Sequence, residues 1–543
     1  MMVMEEFSEE EKEILKPFCT NLDKSVFALI NLPEVVKGAL FSRYSRTTKS
    51  LRRTLIDEFI KKSEMGFKEI VGFQVSSGVN QLVAIQKAEE FYDRLLVGFG
   101  DDSVAELGGA HLAVENISNI ATKVIEDSRI GISPLEKSTR YVYFDEKVDG
   151  QYRYFRDPDV MESKFADLYV QTCDLLFDTY SKLINPMTKF VMERFPQEEG
   201  VSERAYATAV RAKVCDVIRV LLPVATLTNV GLFGNGRAFE YLLTKMFAHP
   251  LKEMPILATS MHEELSKVIP SFVKRAVNQH GIETRKYLID TRVGMEKLTQ
   301  QILAEETVPQ KPHLTLVKWD PEAEVKVVAA MLYPYSQLPM DKLIEIVKQM
   351  SEEQRKKVIA EYLSRRTNRR HKTGRALENT HYTFDICANY GIYRDLHRHR
   401  ILTQERQDLT VRNGYDTPQE LIEAGFQKEY DEVMAVCKDA FNQIFPIFPK
   451  QAQYLVAMGF RLRWYFTLSL REVYFLTELR TGQQGHPDYR KIAQQMFTKV
   501  KEVHPNLVEL IKFVDMKDYP LARIESEKKI DKKMEKLKKK YGS

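Results

Sequence analysis

The sequence predicts an α+β protein of two tandem domains, each a mixed or antiparallel sheet packed with long helices. Three observations lead there. Strand-like segments stand at the front of each half, and long helical stretches follow them. Ile302 to Pro312 reads as a linker, because Pro309 and Pro312 would break any helix. Most informative, one passage occurs twice with its polar residues unequally divided. The first copy holds Gly100-Asp-Asp-Ser103-Val-Ala-Glu106, an apolar helix, then Glu136-Lys-Ser138-Thr-Arg140-Tyr141. The second holds Ala376-Leu-Glu378-Asn-Thr-His-Tyr382-Thr-Phe384, then Leu396-His-Arg398-His399-Arg400-Ile401. Each copy lacks what the other keeps, which points to one composite site built from both halves.

The elements follow in order. Ser8-Glu-Glu-Glu11 predicts a capping box opening a short helix, with Ile14, Leu15 and Phe18 on one face. Ile117, Ile120, Ala121, Val124 and Ile125 recur at helical spacing and predict a buried helical stripe. Tyr141-Val-Tyr-Phe144 and Gln151-Tyr-Arg-Tyr-Phe155 flank Asp149-Gly150 and predict a β-hairpin. Helices are expected from about 161 to 195 and through Arg211 to Leu222. The second half opens on an alternating strand, His313 to Trp319, continues through Val327 to Tyr333, and enters helices around Leu343 and Val358. From Pro418 to Met496 it reads as helical again. The boundaries are therefore an N-terminal helix at 1–20, a first domain at 21–300, a linker at 301–312, a second domain at 313–517 and a basic tail at 518–543. In that tail Ile530, Met534, Leu537 and Tyr541 line one face of a solvated terminal helix.

Composition narrows the function classes. With 543 residues, 44% hydrophobic and 29% charged, the chain is an ordinary globular one, long enough for more than one domain. A net charge of +4 gives no global reason for a nucleic-acid or membrane partner, so any phosphate recognition must be local. No apolar run approaches the ~18 residues of a membrane span. The acidic start, Met1 to Glu13, lacks the order of a secretory signal, and a cytoplasmic protein is expected. Cys19, Cys173, Cys215, Cys387 and Cys437 are scattered and read as buried thiols in a reducing compartment. No His/Asp/Glu cluster has metal-ligand spacing, so no metal is expected. His111 and His381 read as core histidines in apolar helices, and Arg365 to Lys372 as an exposed loop between helices.

The paired passages carry a resemblance. Arg398-His399-Arg400, seven residues and then Asp408 resembles the RHR-x7-S signature of the flavin-dependent thymidylate synthases (the ThyX family), with aspartate in place of serine. Glu378 to Phe384 resembles that family's EHxxFTF segment, twenty residues before Arg398. Ser469-Leu-Arg471 and Leu479-Arg480 resemble its N-x-R and L-R elements. In the first half, Glu136 to Tyr141 is similar to its ExSxRY segment, and Ser103-Val-Ala-Glu106 to the stretch before it. Arg219-Val-Leu-Leu-Pro223 is similar to its AR-x-x-LP helix, with Asn235-Gly-Arg237 sixteen residues after Arg219 as N-x-R. The departures sort by copy: Glu126-Asp127-Ser128-Arg129 replaces the first RHR and Met246 the late arginine. In the second copy Arg406-Gln-Asp408-Leu-Thr410 replaces ExSxRY, and Gln453 the LP-helix arginine.

The resemblance implies two tandem ThyX-like domains and conversion of dUMP to dTMP with FAD, NADPH and methylenetetrahydrofolate. Arg480 would be catalytic, set against the pyrimidine. Glu136, Lys137, Ser138, Thr139, Arg140, Arg219 and Arg398 would bind substrate; Ser103, Arg398, His399, Arg400, Arg471, Asn235 and Arg237 would bind flavin. It also implies a homodimer mimicking the family's tetramer. Duller roles stand beside these. Ser103 and Ser138 suit helix caps, Glu106 and Glu378 suit turns, and Asn235 with Arg237 suits structure or a vestigial flavin pocket. Two other classes stay open. A catalytically silent flavin- or nucleotide-binding protein is favoured by Asp408 and Gln453, and a nucleic-acid-binding protein by the 365–372 run and the tail. Methylation of a related pyrimidine nucleotide is a further variant of the enzymatic reading.

Overall fold

The computed structural model describes residues 6–44, 47–61, 106–306 and 313–542. Their strands, in chain order, are β1 (Gly109–Ser118), β2 (Ile132–Glu136), β3 (Lys147–Val148), β4 (Gln151–Tyr152), β5 (Leu227–Asn235), β6 (Leu314–Lys318), β7 (His381–Asn389), β8 (Leu402–Arg406) and β9 (Arg461–Ser469). The chain is α+β, as expected. Contacts divide it into two compact units: Met1–Ile117, Ala121–Lys137 and Thr228–Glu306 form one; Ser118–Ile120, Ser138–Leu227 and Thr307–Ser543 form the other. The units do not follow the linear boundaries read from sequence. Segment Ser138–Leu227 belongs with the second half because its helices Ala166–Arg194 and Glu203–Ile218 find apolar partners there, Ala166–Arg194 against Gln427–Ile444.

The first unit holds a sheet ordered β1-β5-β2, with Ile132 of β2 opposite Gly234 of β5 and Glu136 opposite Val230. Behind β5 run helices Gly236–Phe247, Glu253–Ser266 and Gln279–Ile302. At the amino terminus the predicted capping box is present, with Ser8 and Glu11 exchanging bonds at the start of Glu9–Leu15. Ile117 lies in β1, so the helical stripe is shorter than its spacing suggested and starts at Asn119.

The second unit holds a sheet ordered β6-β7-β9-β8, every pair antiparallel. Its last three strands repeat the order of the other sheet, which shows the duplication at the level of elements. The hairpin is a two-residue one: Asp149 and Gly150 take φ of 50° and 77° between β3 and β4, and Tyr141 to Phe144 stay outside any strand. The helical reading of 418–496 misses β9. Leu462, Trp464, Phe466 and Leu468 are buried while Arg461, Arg463, Tyr465 and Thr467 are not, a strand's alternation.

The two copies meet in this unit about a local two-fold pattern. Asn235 aligns with Ser469 and Arg237 with Arg471, a constant offset of 234 residues. Under that offset Pro223 is the counterpart of Ala457, and the two face each other in an isolated antiparallel bridge. The flanking bonds are reciprocal: Val224 N–H donates to Val456 (2.9 Å) and Met458 N–H to Leu222 (2.9 Å). Ala225 likewise donates to Tyr454 and Gly459 to Val220. This is the self-complementary pattern of a symmetric dimer contact, here inside one chain.

All five cysteines are buried and free, and burial pushes the Cys437 thiol up to about 12. His111 and His381 lie on exposed positions of β1 and β7, contrary to their reading as core residues in helices; period-two burial leaves them on the outer faces. The basic run is only partly a solvated loop, since Arg366 is buried in a two-pronged pair with Glu478 (2.9 and 2.6 Å). The Ile524–Tyr541 helix is formed, with Ile530, Met534, Leu537 and Tyr541 exposed.

Candidate active site

Residues from both copies converge inside the second unit. Arg140 lies two residues past Ser138, whose hydroxyl accepts the Arg140 N–H at 3.2 Å. Its guanidinium donates to both oxygens of Asp216, from Nε at 2.6 Å and from a terminal nitrogen at 2.7 Å. Asp216 sits in the last turn of Glu203–Ile218, and Arg219 opens the 3-10 turn that follows. One terminal nitrogen of Arg219 donates to the Gly391 carbonyl at 3.1 Å, and the other stands 3.7 Å from Asp395. A Cβ at Gly391 would lie 3.3 Å from Arg219 Nε, so a larger residue would press on the guanidinium.

The second copy supplies the facing groups. Arg480 ends helix Leu470–Arg480, where a cation is favoured by the helix dipole. Its Nε donates to His399 Nε2 at 3.0 Å, and His399 Nδ1 is 2.6 Å from Glu472 Oε1. Arg140 and Arg480 share one aromatic neighbour, their guanidinium carbons 5.9 and 5.8 Å from the Tyr489 ring centroid.

The carboxylates are tuned by these cations. Burial pushes Asp395 up, but Arg219, Arg398, Arg140 and Arg480 together hold it well below the usual carboxylate range. Asp216 is likewise raised by burial and drawn far lower by the charge and hydrogen bonds of Arg140, with Arg219 adding to the pull. His486 is held below its ordinary value by burial; its Nδ1 accepts the Asp488 N–H, leaving Nε2 to donate to the Asp216 carbonyl at 3.2 Å.

The other expected residues divide. Thr139 is buried and accepts from Arg394 at 2.8 Å, while Arg398 and Arg400 are exposed beside the cluster. Arg471 donates to the Thr373 carbonyl (3.0 Å) and to Glu378 (2.6 Å). Glu136 has its carboxylate on Lys123 (2.8 Å), itself fully buried and also paired with Glu126 (2.5 Å). A buried ion pair, not an open ligand face, therefore occupies the Glu136 carboxylate. Lys137 is exposed, and its N–H extends the β2–β5 pairing to Asn229. Asn235 is the N-cap of Gly236–Phe247, and Arg237 pairs with Glu106 at 2.7 Å. Ser103 lies outside the described residues.

Positions where the second copy departs from the ExSxRY and LP-helix pattern are closed by local bonds. Gln453 accepts from Leu409 N–H (2.9 Å) and donates to the Lys450 carbonyl (3.1 Å), while Lys450 pairs with Asp408 (2.7 Å). Met246, the counterpart of Arg480, is fully buried.

Two clefts open onto the cluster. One, of roughly 240 Å³, includes Arg369, Lys372, Arg471 and Phe475 and reaches Glu472, with Lys372 Nζ 3.7 Å over the Phe475 ring. The other, roughly 480 Å³, reaches Asp216 and His486 from the side of Glu420 and Lys491. Asp216, Asp395, Glu472, Tyr489 and His486 escaped the sequence reading. A signal existed for two of them: Asp216-Val-Ile-Arg219 and Asp395-Leu-His-Arg398 place a carboxylate three residues before an arginine in each copy.

Against known proteins, the chain matches a family model described as "Thymidylate synthase complementing protein" twice, over residues 52–271 and 315–506. It is similar to a UPF0159 protein of Chlamydia pneumoniae, 46% identical over 527 residues, which are 96% of this chain and 98% of the relative. A UPF0159 protein of Thermoplasma acidophilum is 33% identical over 520 residues, covering 90% and 97%. The crystal structure of a UMP/dUMP methylase PolB from Streptomyces cacaoi bound with 5-Br dUMP is 16% identical, at a TM-score of 0.28. The match covers 36% of this chain and 93% of that one.

Proposed function

Because the chain belongs to the thymidylate synthase complementing protein family, in double-length form, we propose that it converts dUMP to dTMP at one composite site. The observation that carries this reading is the meeting of Arg140 and Arg219 from one copy with Arg480 from the other around Tyr489 and Asp395. Four guanidiniums, with Arg398, stand against the carboxylates of Asp216 and Asp395. The guanidiniums outnumber the carboxylates, which suits an anionic ligand such as a phosphate monoester.

Arg140 and Arg219 bind the phosphate in this reading. Each is partly held by a carboxylate or carbonyl, so little side-chain freedom is lost on binding. Arg480, its Nε fixed by His399, turns its remaining fork to the pyrimidine. There it balances negative charge that develops as C6 of the base is reduced, a contribution of a few kcal/mol for a preorganised group.

A flavin fits the donor set beside His399. The cleft at Glu472 combines cations for a pyrophosphate (Arg369, Lys372, Arg471) with the ring of Phe475. Arg400 flanks the histidine in sequence. When bound, FAD reduced by NADPH supplies hydride and methylenetetrahydrofolate supplies the one-carbon unit. No thiol nucleophile is required, in keeping with five buried cysteines. Two chains pairing to imitate a tetramer complete the proposal; light scattering would then read about twice 63.1 kDa.

The test is rescue of a thymidine-requiring bacterium by the intact chain, with Arg140→Ala and Arg480→Ala as companions. Rescue by the intact chain and by neither variant is expected, although the two positions lie in different copies. A purified yellow protein that releases no tritium from C5-labelled dUMP would sink the enzymatic reading.

A further inference from the structure

Glu472 does not belong to any motif that the resemblance carries over, yet it is built into the cluster. It stands in the first turn of helix Leu470–Arg480, and Ser469 caps that turn by accepting the Glu472 N–H at 3.3 Å. The cap leaves its carboxyl group uncommitted, and the side chain turns inward, 8% exposed, to meet His399 Nδ1 at 2.6 Å. His399 is more enclosed, its side chain 1% exposed. At the far side of the imidazole, Nε2 faces Arg480 Nε at 3.0 Å.

Hydrogen-bond chemistry fixes the protons in this chain of groups. A guanidinium Nε–H only donates, so His399 Nε2 must present its lone pair. The ring proton then sits on Nδ1 and is donated to Glu472. Neutral imidazole in a single tautomer results, held at both ends.

We propose that Glu472 is a positioning residue: through His399 it fixes the Nε edge of Arg480 and sets how much positive charge that guanidinium presents to the pyrimidine. The inference rests on the proposed function for what Arg480 faces, and on the two bonds alone for the relay.

The groups around the carboxyl decide its charge. Lys372 approaches from the basic run, Arg471 and Arg480 from its own helix, and His399 from the loop after Tyr390–Leu396. Arg369 and the Arg366–Glu478 pair line the same cleft. Burial pushes the Glu472 carboxyl up to about 8, against the pull of Lys372, Arg471 and Arg480. Below that pH it holds a proton, accepts from Nδ1 through an oxygen lone pair, and leaves Arg480 its full charge. Above it, the carboxylate offsets part of that charge through the imidazole. Turnover is therefore expected to fall as pH rises through about 8.

Two measurements on the full-length chain test this. With 15N-labelled histidine, His399 should appear as the neutral Nδ1–H tautomer from pH 6 to 9, its shift inflecting near pH 8. Glu472→Gln should keep the tautomer and lose the inflection; Glu472→Ala should give mixed tautomers. In turnover, Glu472→Ala should lower kcat about tenfold or more while the KM for dUMP changes less, and Glu472→Gln should flatten the alkaline limb. An imidazolium or Nε2–H tautomer at neutral pH, or a glutamine variant indistinguishable from alanine, overturns the relay. A chain that turns over no dUMP defeats the proposed function instead, and the tautomer still decides the relay.

Discussion

Asp216 and Asp395 show how buried arginines are kept charged and oriented without a ligand. Each carboxylate answers cations that would otherwise lie buried and uncompensated. Asp216→Asn should therefore destabilise the protein by about 3 kcal/mol, read from urea denaturation, because Arg140 keeps its charge and loses its partner. Both carboxyl groups sit below their unfolded value of about 3.9. Their contribution is full above about pH 4 and is lost as pH falls toward their folded values. An acid titration followed by circular dichroism should show unfolding in that window, shallower in the asparagine variant. Lys123 offers a matching case in the other unit. Lys123→Ala leaves Glu126 and Glu136 facing each other in the interior, at a cost of about 3–5 kcal/mol in the same assay. The arginines themselves were legible in the sequence because motif spacing marks them. Their acidic partners were marked only by the carboxylate-to-arginine spacing shared by Asp216-Val-Ile-Arg219 and Asp395-Leu-His-Arg398, which announces neither burial nor which cations of the other copy each meets.

At the scale of elements, one substitution between the copies becomes intelligible. Asn235 and Ser469 hold the same place, and each accepts from an N–H three residues on, Ala238 and Glu472. The position asks for a helix cap, and asparagine and serine serve it nearly equally. Ser469→Asn should shift stability by only a few tenths of a kcal/mol, whereas Ser469→Ala should cost about 1 kcal/mol, measured by calorimetry. Capping was thus readable from residue type. Strands β5 and β9 were not, although their alternation is visible in retrospect. Arg461, Arg463 and Tyr465 are long side chains that suit a helix as well, and β9 owes its state to pairing with β7 and β8 rather than to local preference.

For the whole molecule, the division into compact units matters more than the order of the copies. Segment Ser138–Leu227 completes its unit with Thr307–Ser543, so the second half of the sequence lacks part of its core, while the first half carries a segment whose partners lie elsewhere in the chain. Residues 313–543 expressed alone should lack cooperative thermal unfolding, and co-expression with residues 1–306 should restore it. The duplication was legible from motifs; that the boundary between compact units cuts across it was not, because helix partners are chosen by apolar faces distant in sequence.

The bridge between Pro223 and Ala457 carries one last implication. In an assembly of identical subunits, every change of amino acid is echoed across the axis, and damage to one cavity is damage to its twin. Here the counterparts are separately inherited, and proline already faces alanine where symmetry would demand a single residue. Evolution can therefore edit one side while selection guards the other.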